Sequence, residues 1–355
     1  MEVKNVKIRF YNGVQFLRAI CCICIVLAHS FAYAEMIFRI PECAYWGRYG
    51  MLNLTTFFFI MSAYLTTEKL DLANSNLGEF FKSRFWGIYP IYWLCVVTVV
   101  MYNLMVYHNI QVSNGFWRSL LLIPGGTTFV CSVEWTLWYE IIFYSLICWF
   151  FAIKKGKNFF PYIVLIFIVC YIVKYDGANL TDNIYKIPLS RPFLAFPVGV
   201  TIYYLEKVIK HLFRHNNEKN ITFNSKLIWI LCAFLFIVCI YMLDERYFDT
   251  YSIVHLLLAV AVASICFISF KVISISKENF FVSIGNATYG IYLLHPTFIK
   301  NSFYILYSLG VKYTLSVHII VVLVNTLACF ALGSSFKIII KTLQSCVKNY
   351  FKRKW

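Results

Sequence analysis

Apolar segments of about twenty residues recur along the whole chain, and they limit the folds available to it. The hydrocarbon core of a bilayer is about 30 Å thick, which a helix of about twenty residues crosses with its backbone hydrogen bonds satisfied internally. Hydrophobic residues make up 61% of the sequence and charged residues only 14%, about half the charged share of an ordinary soluble domain. We therefore predict an all-α, polytopic membrane protein.

Ten segments qualify as candidate spans. They lie near residues 14–34, 51–67, 87–107, 133–153, 158–174, 187–206, 225–243, 250–270, 280–300 and 313–336. Because the connections are modest, we expect one integral-membrane domain over residues 1–340 and a basic tail over 341–355. The basic stretch before the first span lacks a small-residue cleavage site, which indicates a retained helix rather than a signal peptide.

Lysine and arginine alternate between the two sides of this topology. The amino terminus, the connections after even-numbered spans and the carboxyl tail carry 22 of the 32, and the opposite connections carry 8. The positive-inside rule then places both termini in the cytoplasm. Most of the net charge of +16 would face anionic lipid, so we expect membrane lipids, and no nucleic acid, as its partner.

Ionisable residues inside the apolar segments indicate a function. Arg18 and His29 lie eleven residues apart in the first span, on one helix face and about 16 Å apart along its axis. Glu140 enters the fourth span and His295 lies well inside the ninth. Burying such groups without partners costs several kcal/mol. A snorkelling arginine and a core histidine are the structural alternative, but the number of such residues favours a polar cavity enclosed by the helices.

Other polar residues stand at matching depths. Lys82 and Arg84 precede the third span, where cations would face the cytoplasm. We expect a further set to line the cavity together with His295, namely Ser62, Trp135, Asn286 and Tyr292. We interpret His255, His318 and Glu206 as structural or interfacial.

Five sequence pieces occur in a characteristic order and spacing. They are Arg18 to His29 in an Arg-x10-His pattern, Phe57 to Leu65, Trp135 to Glu140 with Tyr144, Arg191 with Gly199, and Tyr289 to Pro296. Together they resemble the membrane-bound acyltransferase-3 family, whose members O-acylate bacterial surface polysaccharides and some small molecules. Two positions depart from the family pattern: Ala63 replaces the usual glycine, and Gly87 stands where a second arginine would follow Arg84.

The resemblance implies an O-acyltransferase of the bacterial inner membrane. The donor would be acyl-CoA, most often acetyl-CoA as co-substrate, with no permanently bound cofactor and no metal. The acceptor would be a surface polysaccharide, such as the O-antigen of lipopolysaccharide, or a lipid-linked oligosaccharide. Neither the acceptor sugar, its hydroxyl, the acyl group nor the oligomeric state can be read from the sequence.

The same resemblance assigns roles to the polar residues. Arg18, Arg84 and Lys82 would bind the CoA phosphates, which guanidinium groups suit in charge and geometry. His29 would act as general base on the acceptor hydroxyl, because a neutral imidazole takes a proton near neutral pH. Glu140 or His295 would orient it. Direct transfer and an acyl-histidine intermediate both remain open.

Two other classes of protein share these general features. A transporter or flippase for a lipid-linked sugar would also have about ten helices and buried ionisable residues, but it would tend to show an inverted repeat. A polysaccharide polymerase would carry its arginines in large outer loops. Neither feature is visible in the sequence.

The thirteen cysteines mostly fall in the predicted spans, where we expect small apolar packing residues. Cys346 should be a free thiol in the cytoplasmic tail. Cys43 and Cys131 would lie on the oxidising side of this topology, and we predict that they can form a disulfide across the acceptor entrance.

Overall fold

The protein is described from a computed structural model. The structure describes residues 11–72, 77–108, 116–124, 130–154, 193, 195–213 and 253–354. All regular secondary structure in this part of the chain is helical, which confirms the all-α prediction. The predicted spans at 158–174 and 225–243, and Arg191 of the sixth, lie outside the described residues.

The described residues form nine α-helices. In chain order they are α1 (Asn12–Phe38), α2 (Pro41–Leu72), α3 (Leu77–Tyr107), α4 (Phe116–Leu120), α5 (Trp135–Lys154), α6 (Ala195–Phe213), α7 (Ile253–Val272), α8 (Phe280–Ser308) and α9 (Leu315–Lys354).

Three of these helices are long and apolar enough to cross a membrane. They cover Asn12–Phe38, Leu77–Tyr107 and Leu315–Cys346, and a shorter apolar helix covers Ala261–Val272. Within the described residues the structure therefore supports three spans by length and hydropathy, rather than the ten counted from the sequence. Two of the ten predicted spans, 158–174 and 225–243, lie outside the described residues, so this count does not include them.

The described helices sort into two compact units. The first contains Met1–Arg18, Leu52–Phe80 and Thr136–Lys277, and the second contains Ala19–Met51, Phe81–Trp135 and Glu278–Trp355. α1 contributes to both units, because Arg18 ends one of these ranges and Ala19 begins another.

An aromatic core holds the first unit together. The Phe59 ring of α2 stacks on Phe196 of α6, with centroids 4.6 Å apart, and on Tyr139 of α5 at 5.6 Å. Gly199 lets α6 approach α2 closely, because a Cβ there would lie 2.3 Å from the Ile60 carbonyl oxygen. Small residues at such crossings are the usual means of close helix packing in membranes.

Polar side chains tie helix ends together in the same unit. Lys271, at the end of α7, pairs with Glu206 of α6 and contacts the Tyr64 hydroxyl. The Tyr64 hydroxyl also donates to Glu206 at 2.7 Å. Asp71 accepts from the Tyr203 hydroxyl at 2.6 Å. Glu206 thus has a bonded partner on each of two neighbouring helices.

In the second unit, α8 packs closely against α9. Gly290 and Gly333 face each other, and a Cβ on Gly290 would lie 2.5 Å from the Gly333 Cα. The backbones of two helices can come this close only where neither has a side chain. Asn279 caps the start of α8 by accepting from the Phe281 N–H at 2.9 Å.

The two cysteines expected to bridge are both free, so the disulfide prediction is wrong. Cys43 instead donates from its Sγ to the Tyr313 hydroxyl at 3.3 Å, and Cys131 is fully buried. A buried thiol and a hydrogen-bonded one satisfy both positions without a covalent link. Cys346 is free and exposed, as predicted.

Replacement of Gly290 by alanine tests the close crossing of α8 and α9. The added methyl must push the helices apart, and we expect a loss of about 1–3 kcal/mol in stability. Thermal unfolding of the detergent-purified protein should show a melting temperature several degrees lower. Gly87→Ala is the matched control, since a Cβ there meets no atom within 4 Å. An unchanged melting temperature for Gly290→Ala would contradict the packing described.

Candidate active site

Two histidines meet inside the second unit. His29 of α1 and His295 of α8 approach with 3.0 Å between His29 Nδ1 and His295 Nε2. Their rings stack with centroids 5.0 Å apart. His295 is completely buried, and His29 is partly exposed. Both were candidates from the sequence, and the structure places them in direct contact.

The backbone of α8 holds the His295 ring. His295 Nδ1 hydrogen-bonds the carbonyl of Ile291, four residues earlier, at 3.1 Å. α8 continues through Pro296 without a break, although proline removes the N–H that would bond the carbonyl of Tyr292. That carbonyl also lies close to the His295 ring.

These contacts fix the tautomers of the neutral pair. A carbonyl oxygen only accepts hydrogen bonds, so His295 Nδ1 carries the hydrogen and His295 Nε2 has the lone pair. His29 Nδ1 must then donate to His295 Nε2. The remaining nitrogen, His29 Nε2, then has its lone pair directed outward, and no partner for it lies among the described residues. An imidazole with one nitrogen held and the other bare is the form that a general base requires.

Tyr33, on the next turn of α1, lies between the histidine pair and the segment that precedes α5. Tyr33 lies four residues beyond His29, about 6 Å farther along the helix, and its ring meets that of His29 edge-on at 6.2 Å. The Tyr33 hydroxyl lies beside the side chain of Ser132, which is exposed. The turn containing Ser132 therefore lies beside α1, one helical turn from the histidine pair.

Glu134, in that same turn, is a buried carboxylate that the sequence analysis missed. It is fully buried and immediately precedes α5. Oε2 receives the Ser119 hydroxyl, the Tyr92 hydroxyl at 2.9 Å and the Cys131 N–H at 3.3 Å. Oε1 has no hydrogen-bond partner among the described residues. The available signal was a glutamate at a predicted helix start, but the Trp-Thr-Leu pattern directed attention to Glu140 instead.

A second polar chain begins beside His29. Ser30 donates to the Leu27 carbonyl at 2.6 Å and lies 3.0 Å from His318 Nε2. Because the single serine proton is used, His318 Nε2 must donate to Ser30, and His318 Nδ1 accepts from the Tyr313 hydroxyl at 3.1 Å. Burial and the neighbouring Cys43 thiol raise the pKa of Tyr313, which keeps its proton available. This chain fixes α1 against α9 at the residue after His29.

The comparison with protein families decides the identity. A family model described as an acyltransferase domain matches residues 11–334, which include every element of the histidine pair. The chain belongs to the membrane-bound acyltransferase-3 family. No curated protein and no solved structure matches the chain. The resemblance read from the five sequence pieces is thereby confirmed.

The predicted donor-binding cations of this acyltransferase lie at helix starts. Lys82 and Arg84 lie within the first two turns of α3, the former exposed and the latter partly buried. Arg18 lies in the second turn of α1, with Nη1 3.5 Å from the Gln15 side-chain oxygen.

Three other residues predicted to belong to the site lie on α2 and α5. Ser62 lies 3.0 Å from the Tyr144 hydroxyl in the first unit, and Glu140 lies in the second turn of α5, partly exposed. Trp135 begins α5.

On α8, the Tyr292 ring lies 5.9 Å from that of His295. Asn286 precedes His295 by nine residues, which at about 100° per residue puts it on the opposite face of the helix. Among the described residues, no group of three or more histidine, cysteine, aspartate or glutamate side chains could hold a metal ion.

Replacement of His295 tests its role in holding His29. His295→Ala removes the acceptor for His29 Nδ1, and we expect transfer to fall about 10- to 100-fold while donor binding is retained. His295→Gln provides a carbonyl oxygen that can still accept, so it should recover part of the rate. Acyl transfer by the purified protein is the measurement.

Lys300→Ala, an exposed position on the same helix, is the control for this experiment. Equal rates for His295→Ala and wild type would show that the pair is only structural. A glutamine variant no better than the alanine variant would show that hydrogen-bond acceptance is not the relevant property.

Proposed function

We propose that this acyltransferase moves an acyl group, acetyl by its family resemblance, from cytoplasmic acyl-CoA to a hydroxyl of a surface polysaccharide or lipid-linked saccharide. The observation that carries the proposal is the His29–His295 pair, in which the lone pair of His29 Nε2 meets no donor among the described residues. A hydroxyl is barely nucleophilic at neutral pH, so its acylation needs a base of this kind.

The proposed reaction uses that lone pair directly. His29 Nε2 takes the proton of the acceptor hydroxyl as its oxygen attacks the thioester carbonyl, and the carbon–sulfur bond breaks. The CoA thiolate leaves and receives a proton from the imidazolium. While His29 is charged, its Nδ1–H remains bonded to the lone pair of His295 Nε2. His295 therefore stabilises the charged form without itself exchanging a proton.

The charge pattern supports a donor that approaches from the cytoplasm. The 22 to 8 asymmetry of lysine and arginine supports a multi-pass topology in an inner membrane with both termini in the cytoplasm. In that orientation Arg18, Arg84 and Lys82 each face the cytoplasmic side, where their charges suit the CoA phosphates. His29 lies about 16 Å deeper than Arg18 along α1. An extended pantetheine arm can cover this distance while the nucleotide stays at the surface.

The direct test is His29→Ala. This variant lacks the base, so we expect transfer from acetyl-CoA to fall by about 10²–10⁴-fold, while acetyl-CoA binding, measured by calorimetry, persists. Met36→Ala, an exposed position on the same helix, should leave both unchanged. Retained transfer by His29→Ala would refute the assignment of the base.

A separate experiment addresses the donor site. Arg84→Gln removes the guanidinium charge, and we expect the KM for acetyl-CoA to rise about tenfold, with a smaller effect on kcat. Arg118→Gln is the matched control, because this exposed arginine lies on α4, in an opposite connection of the proposed topology. A normal KM for Arg84→Gln would exclude its role and point to Lys82.

A further inference from the structure

Glu134 has a buried carboxyl group in which one oxygen accepts several hydrogen bonds and the other accepts none from the described residues. Oε2 has three neighbouring donors: the Ser119 hydroxyl, the Cys131 N–H and the Tyr92 hydroxyl, whose proton it shares with the Ser119 carbonyl at 2.8 Å. Oε1 has no partner in the described part of the chain, although the side chain is fully buried. A buried polar atom without a partner is unusual in a folded protein and indicates a place for a ligand or water.

Two opposing effects act on the charge of Glu134. Donors on Oε2 stabilise the ionised carboxylate, as do the peptide dipoles at the amino end of α5, whereas the full burial of the side chain opposes ionisation. The ionised Oε1 can only accept hydrogen bonds. The group that suits this oxygen is therefore a donor, such as a hydroxyl.

The position of Glu134 relates it to the histidine pair. Ser132, two residues before it, lies beside the Tyr33 hydroxyl, and Tyr33 lies one turn beyond His29 on α1. This turn is displaced from His29 in the direction away from Arg18 along α1. The carboxylate thus lies toward the end of the helix opposite the proposed CoA entrance, where phosphate repulsion would not oppose it.

We propose that Glu134 is part of the acceptor-binding site, where Oε1 accepts a hydrogen bond from a hydroxyl of a polyhydroxylated acceptor. This inference rests on the proposed function and assigns one residue to its saccharide side. An anionic or aprotic ligand gains nothing from a carboxylate oxygen, whereas a sugar presents several hydroxyl donors. An acceptor bound at Glu134 through one hydroxyl would present another of its hydroxyls to His29.

The test compares Glu134→Gln with Glu134→Asp. The bacterial host that carries this gene, deleted for it, is complemented with each variant at matched membrane level. Acetyl esters on its own surface polysaccharide are measured by ¹H NMR, and acetyl-CoA binding by the purified variants is measured by calorimetry. We expect about a 10- to 100-fold fall in acetylation for Glu134→Gln, the effect of losing a hydrogen bond to a charged group. Acetyl-CoA affinity should be unchanged.

Glu134→Asp keeps the charge but withdraws the oxygen, so it should also acetylate poorly and bind acetyl-CoA normally. Glu42→Gln, an exposed carboxylate in the same unit, should match wild type. Normal acetylation by Glu134→Gln overturns the proposal. Loss of acetyl-CoA binding in both Glu134 variants also overturns it, because Glu134 would then support the fold or the donor site.

The controls separate this proposal from the one on which it rests. If deletion of the gene leaves acetylation unchanged, or wild type binds no acetyl-CoA, the proposed function itself fails. If His29→Ala abolishes acetylation and Glu134→Gln does not, the proposed function survives and only the acceptor assignment is lost.

Discussion

The contact between His29 and His295 is the interaction on which the arrangement of the second unit depends. An imidazole within an apolar helix bundle must find a partner for its N–H, because an unmet donor there costs several kcal/mol. His29 Nδ1 donates to His295, and His295 Nδ1 donates to the Ile291 carbonyl. This chain of donors ends at a backbone oxygen, and within the described part of the chain His29 Nε2 has no hydrogen-bond partner. The hydrogen bonds that satisfy the two rings therefore leave open the nitrogen that the proposed mechanism uses.

Contacts with α9 hold both α1 and α8, the helices that carry the paired histidines. Gly290 lies five residues before His295 and brings α8 against Gly333 of α9, and His318 of α9 bonds Ser30, the residue after His29. Each of the two helices that carry the paired histidines is therefore also fixed to α9. His318, which the sequence analysis interpreted as structural, has a hydrogen-bonded contact with α1 that fits this role.

The sequence predicted what depends on composition and local spacing. Hydrophobicity predicted a helical membrane protein, and the spacing of polar residues selected His29 and His295. It left open whether Glu140 or His295 orients His29, and the structure places His295, 266 positions away in sequence, in contact with it. The proposed Cys43–Cys131 bridge was wrong, because it required a distance between two loops. Glu134 was missed because burial, rather than residue type, distinguishes it from the nearby Glu140.

In the proposed mechanism a histidine suits the place beside His29 better than a carboxylate would. A carboxylate there would bury a permanent charge in the ground state and favour protonation of His29 before the acceptor arrives. A neutral His295 avoids both effects and would still accept the Nδ1–H of a charged His29. The buried carboxyl group of the same unit, Glu134, has hydroxyl and N–H donors of its own. The proposed base thus lies in a neutral pair, and the buried carboxyl group lies among fixed donors.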